Sequence, residues 1–98
     1  METLKDKVAF VTGGASGIGL GISKAMVAAG MRVVIADVRE DHLKDARAWF
    51  LSQKQSRRIR CIRLDVTNRR AYARAADAAE KAFGSIHVLL FRFYIEQL

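Results

Sequence analysis

Eight residues, Thr12-Gly13-Gly14-Ala15-Ser16-Gly17-Ile18-Gly19, restrict the fold more than any other stretch of this chain. They lie between the apolar run Val8-Ala9-Phe10-Val11 and a segment with helical spacing. A short run of β-branched and aromatic residues bounded by glycines suits a strand buried on both faces, and the glycines allow a tight turn at its carboxyl end. Beyond the turn, Ile18, Ile22, Ala25, Met26 and Ala29 share one side of a helix, and Gly30 is placed for a left-handed C-terminal cap. Val33-Val34-Ile35-Ala36-Asp37 reads as a second strand ending in an acid, which completes a βαβ unit.

Such a turn creates a helix start. Free backbone N–H groups and the positive end of the helix dipole face its mouth, and glycine removes the side chains that would keep an anionic diphosphate from the main chain. Asp37 ends the second strand, where a carboxylate can accept hydrogen bonds from both hydroxyls of an adenosine ribose. Together they point to a dinucleotide. The literal G-x-G-x-x-G spacing is absent, because Gly17-Ile18-Gly19 is followed by Ile22. A phosphate loop of the type G-x-x-x-x-G-K-[ST] fails as well: Gly14 and Gly19 have the spacing, but Leu20 stands where the lysine is needed.

The remaining pattern continues the alternation of strand and helix. A second helix is expected from about Arg39 to Lys54, with Glu40 and Asp41 in its first turn and Leu43, Ala46 and Phe50 on its inner face. Trp49 beside that stripe reads as a packed core aromatic, and His42 as a surface residue. A third strand over Ile59–Leu64 leads to Asp65, and Thr67 is a fair N-cap for a helix from about Asn68 to Phe83. Tyr72, Ala76, Ala79 and Phe83 share a stripe of that helix, Gly84 caps it, and Ile86–Phe91 reads as a fourth strand. The expected fold class is α/β, a partial Rossmann-type doubly wound parallel sheet ordered β-α-β-α-β-α-β with four strands. Cys61, the single cysteine, falls in the third strand and reads as a buried, inert thiol. His87 has no His or Cys neighbour at metal-like spacing, so no metal is expected.

At these residues the chain resembles the short-chain dehydrogenase/reductase family, whose glycine motif T-G-x-x-x-G-x-G is matched throughout Thr12–Gly19. Asp65-Val66 resembles the family's adenine-contacting Asp-Val pair, and Phe83-Gly84-Ser85-Ile86-His87-Val88-Leu89-Leu90 resembles the approach to its fourth strand. The resemblance implies the strand order 3-2-1-4. It also implies cofactor binding by Thr12, Gly13, Ser16, Gly17, Ile18, Gly19, Asp37, Asp65 and Val66. Asp37 implies NAD rather than NADP, since its charge would repel a 2′-phosphate and no basic residue stands at Ser16; Arg39 is the counter-indication.

The family's Asn-Asn-Ala-Gly motif is replaced by Phe91-Arg92-Phe93-Tyr94, which divides the chain into a nucleotide-binding half, 1–91, and a divergent tail, 92–98. The family's catalytic Ser, Tyr and Lys have no counterpart: Tyr72 is followed four residues on by Ala76, and Tyr94 by Leu98. Hydride transfer needs a proton moved to or from the substrate oxygen, so these 98 residues alone are expected to be inactive. The alcohol or carbonyl substrate of a full-length form is not specified. A non-catalytic nucleotide-binding or subunit-pairing module is the alternative.

Composition limits the partners. Apolar runs are far shorter than the roughly 20 residues needed to span a bilayer, and Met1–Lys7 lacks the apolar core of a signal peptide, so a cytoplasmic protein without membrane association is expected. The net charge of +7 is concentrated in Lys54, Arg57, Arg58, Arg60, Arg63, Arg69, Arg70 and Arg74, against Asp65 alone between Gln53 and Arg74. Such a cluster attracts polyanions, but no RNA-binding aromatic motif is interleaved with it, which argues against a specific nucleic-acid partner. An open fourth strand is expected to leave an apolar edge prone to self-association.

Overall fold

A computed structural model describes residues 4–65, 67–91 and 94–97, with the backbone alone for 88–91 and 94–97. Its elements in chain order are β1 (Val8–Thr12), α1 (Gly17–Ala28), β2 (Arg32–Asp37), α2 (Glu40–Ser52), β3 (Ile59–Arg63), α3 (Arg69–Phe83), β4 (Val88–Phe91) and β5 (Tyr94–Gln97). The strands form one sheet in the order β3-β2-β1-β4-β5. β1, β2 and β3 are parallel, with Phe10 level with Val34 and Ile35 level with Cys61. β4 runs parallel to β1, and β5 returns antiparallel along β4. The architecture is a partial Rossmann-like α/β fold.

Strand alternation divides the core in two. Ala9, Val11, Val33 and Ile35 point to the face covered by α1 and α2, where they meet Val27, Leu43, Ala46 and Phe50. Phe10, Val34 and Ala36 point to the other face, where they meet Leu64 and the small α3 residues Ala75 and Ala79. Burial of all five β1 residues is what a continuous apolar run predicts for a strand sandwiched between helices. His87 seals the start of this strand: its N–H donates to Val8 O at 2.8 Å, and Val8 N–H donates to the imidazole Nδ1 at 3.1 Å.

Several expectations are corrected. The sheet has five strands rather than four, and β5 covers the edge of β4, so β4 is not the open edge anticipated as a self-association surface. The inner face of α1 takes only part of the expected stripe: Ile22 and Met26 pack against the core, but Ile18, 67% exposed, and Ala25 and Ala29 face outward, and Ser23 and Val27 are the buried residues. The reason lies in the glycines, which bring the helix start so close to the turn that only a small residue fits one turn on. The Ser23 hydroxyl fills that place, donating to Gly19 O at 2.9 Å and lying 3.3 Å from Gly14 O.

The N-cap of α3 is Asn68, whose Oδ1 accepts from Ala71 N–H at 3.0 Å, and not Thr67. Thr67 is engaged by Asp65 instead. α2 stops at Ser52 rather than Lys54, which takes a positive φ of 60° as the chain leaves the helix. Cys61 is half-buried, and burial pushes its thiol pKa up, which leaves little thiolate at neutral pH. Trp49 is half-buried too, edge-on to Phe50 and 4.1 Å beneath the Lys24 ammonium. Gly30 has the expected positive φ, 92°, after α1.

Candidate dinucleotide-binding site

Three parallel strands end on the same side of the sheet, and their carboxyl ends carry the candidate residues. Thr12 ends β1 and Gly13 follows it, Asp37 ends β2, and Leu64 and Asp65 follow β3. With Val38 and Thr67 they line a cleft of about 180 Å³. Ligand pockets run from roughly 300 Å³ upward, so this cleft accommodates part of a dinucleotide rather than the whole.

The glycine turn is fixed by contacts that admit nothing else. A Cβ on Gly19 would sit 2.0 Å from Gly13 O and 3.1 Å from Gly14 Cα, which is backbone against backbone. Gly13 and Gly17 have positive φ, 66° and 56°, and a Cβ on Gly17 would point into open space. Gly17 is therefore required by conformation and Gly19 by proximity. Ser16 enters α1 with extended backbone, and its side chain makes no capping bond. The helical ladder begins with Leu20 N–H donating to Ser16 O at 3.2 Å, so the N–H groups of Gly17, Ile18 and Gly19 precede it and have no acceptor within the helix. A helix start with no side-chain cap beside an exposed glycine is a place where an anion can replace the missing cap.

Asp37 is held more firmly than its position at a strand end requires. It is only 8% exposed, and each carboxylate oxygen accepts one backbone N–H: Oδ2 from Ala15 at 3.3 Å, Oδ1 from Arg39 at 3.1 Å. The first bond ties the acid to the glycine turn. A carboxylate oxygen accepts about two hydrogen bonds, so each retains acceptor capacity for a diol. The neighbouring Arg39 side chain is turned to Asp41, with Nε–Oδ1 3.1 Å and Nη2–Oδ2 2.6 Å. Asp65 forms the opposite wall, its Oδ1 accepting from Thr67 N–H at 2.9 Å and Thr67 Oγ1 at 2.7 Å. Those two bonds hold its carboxyl below the usual carboxylate range.

The structure thus gathers Thr12, Gly13, Asp37 and Asp65 on one cleft and places Ser16, Gly17, Ile18 and Gly19 at the adjoining helix start. Val66 lies outside the described residues. Thr67, Val38 and Leu64 were not singled out in the sequence as cleft residues. The spacing Asp65-x-Thr67 carries the signal for the first, since an aspartate commonly accepts from the backbone two residues on.

Residues 7–91 match the short chain dehydrogenase family. The chain belongs to that family. As a short chain dehydrogenase sequence it is 43% identical over 90 residues to C alpha-dehydrogenase of Sphingobium sp., covering 92% of this chain and 29% of the relative. A short chain dehydrogenase/reductase from Burkholderia phymatum, solved in complex with NAD, superposes with a TM-score of 0.83 at 34% identity, over 91% of this chain and 31% of that one. The C-domain of a bacterial malonyl-CoA reductase, solved with NADP, gives a TM-score of 0.80 at 35% identity, over 87% and 14% respectively. The chain spans about 30% of the length of the curated relatives it matches. Structural neighbours of the chain have thus been solved with NAD and with NADP.

Among the described residues no helix is long and apolar enough to cross a membrane, and no group of three or more His, Cys, Asp or Glu side chains is placed to hold a metal ion.

Proposed function

We propose that this chain is the NAD-binding N-terminal part of a short-chain dehydrogenase/reductase oxidoreductase. In a full-length form it would serve hydride transfer between NAD and an alcohol or carbonyl compound, in the cytoplasm. Asp37 carries the reading: a carboxylate anchored to the glycine turn, facing a cleft lined by Thr12, Gly13 and Asp65. Its remaining acceptor capacity suits the two hydroxyls of an adenosine ribose, and the uncapped start of α1 beside it suits a diphosphate.

Bound NAD would supply the hydride acceptor; Asp37 orients the ribose, Ser16–Gly19 hold the diphosphate, and Asp65 with Val66 receives the adenine. The cleft favours NAD over NADP because two carboxylates, Asp37 and Asp65, line it and would repel a 2′-phosphate. Residues 1–91 constitute the nucleotide-binding half and 92–98 the departure from the family pattern. With no tyrosine followed by a lysine four residues on, these 98 residues bind the nucleotide without transferring hydride.

Calorimetric titration with NADH and NADPH tests this. Asp37→Ser should weaken NADH binding by about 10- to 100-fold, the equivalent of losing hydrogen bonds to a charged acceptor, while NADPH binding holds or improves. Equal loss for both dinucleotides would point to damage of the turn, and no NADH binding at millimolar concentration would end the nucleotide assignment.

A further inference from the structure

The strongest feature that the cofactor assignment leaves unused is the two-pronged ion pair at the start of α2. Arg39 is anchored to the cleft through its backbone, since its N–H donates to Asp37 Oδ1 at 3.1 Å. Its guanidinium is turned outward onto Asp41, meeting both carboxylate oxygens at 3.1 and 2.6 Å, with both side chains about 60% exposed. A second guanidinium near Asp37 is also occupied: Arg63, level with Asp37 across the β2–β3 pairing, donates from Nε to Val38 O at 3.2 Å.

We propose that Asp41 is a positioning residue for cofactor choice, because its carboxylate occupies the Arg39 fork that would otherwise turn inward to a 2′-phosphate beside Asp37. The inference rests on the assignment of the cleft to an adenosine ribose. A guanidinium presents the same planar pair of donors to a carboxylate and to a phosphate, so Asp41 and a 2′-phosphate compete for one group. Asp37 disfavours NADP by repulsion; Asp41 disfavours it by withholding the cation. The two effects act on different partners and are separable.

The pair is exposed and surface ion pairs are weak, so the expected effect is modest: about three- to fivefold in affinity. Dissociation constants for NADH and NADPH are measured on the 98-residue chain carrying Asp41→Asn, Asp37→Ser, both substitutions, and both together with Arg39→Ala. In the Asp37→Ser background, Asp41→Asn should raise NADPH affinity by that factor and leave NADH unchanged. Adding Arg39→Ala should abolish the gain. A merely structural role for Asp41 would move both dinucleotides together.

The proposal is overturned if the NADPH-to-NADH ratio is unaffected by Asp41→Asn in either background. It is equally overturned if the gain survives Arg39→Ala, which would reduce it to a general charge effect. Failure of the wild-type chain to bind either dinucleotide would instead sink the cleft assignment and this inference with it, whereas NADH binding with an unchanged ratio sinks the inference alone.

Discussion

The two faces of the sheet are built from different materials. On the α1/α2 face, Val11, Val33 and Ile35 meet Leu43 and Phe50, large side chains that are wholly buried. On the α3 face, the helix contributes Ala75 and Ala79 to the buried layer, while Tyr72 and Phe83 are only partly covered. One face is a filled core and the other a close-packed, small-residue contact. The glycine turn and Asp37 stand at the top of the β1–α1–β2 unit that builds the first face, so the diphosphate end of the candidate site rests on the better-filled side. Asp65 and Thr67, which lead into α3, depend on the other.

Gly19→Ala attacks the first face where helix and turn touch, and it should have the largest effect. The new methyl would lie 2.0 Å from a backbone oxygen, so α1 must shift bodily, at more than about 4 kcal/mol. Small domains have about 5–15 kcal/mol to lose, and the variant should lack a cooperative thermal transition at 25 °C and above. A folded Gly19→Ala protein with unchanged midpoint would mean that the close approach of α1 to the turn is not a constraint.

A paired truncation measures the contrast between the faces directly. Phe50→Ala removes a fully buried ring from α2 and should cost about 3–5 kcal/mol. Tyr72→Ala removes a half-buried ring, 5.8 Å from Phe10, and should cost about 1–2 kcal/mol. Urea denaturation of both variants gives the comparison. Equal losses would show that the α3 face contributes as much as the α1/α2 face, and the asymmetry would fall.

How far the fold was legible follows the same division. β1, β2 and the inner face of α2 were readable because their patterns are governed by burial: every apolar position of Val8–Val11 and Val33–Ala36, and Leu43, Ala46 and Phe50, is buried as expected. α1 was read only in part: Ile22 and Met26 pack on the core as expected, but periodicity assumes that a helix packs through its large residues throughout. Here proximity governs, and the polar Ser23 is inside while Ile18 is outside. The boundary at Thr67 and Asn68 was misplaced because both residue types cap helices, and Asp65 claims the first of them. For the site, residue types and spacing named Asp37. They could not reveal that Ala15 N–H ties it to the turn, or that Arg39 is turned away from it. Side-chain orientation at a strand end is set by tertiary neighbours.

The smallest expected effect is an acid-side loss of stability to which both regions contribute. Asp6, beneath the first face, meets Arg58 at 2.6 Å, and that hydrogen bond holds its carboxyl below the ordinary value of 3.8. Asp65, at the entry to α3, is lowered by Thr67 from the same value. A carboxyl whose pKa is depressed on folding stabilises fully above its unfolded value and loses that contribution as pH falls through the folded one. The melting midpoint should therefore be flat in these contributions from pH 7 to 5 and fall below about pH 4. Asp6→Asn and Asp65→Asn should each flatten part of that fall, and because both groups are exposed the changes should be small and shrink with added salt for the Arg58 pair. If Asp65→Asn alone removed the whole acid slope, the acid sensitivity would reside in the β3–α3 junction, and the weaker face would set where unfolding begins.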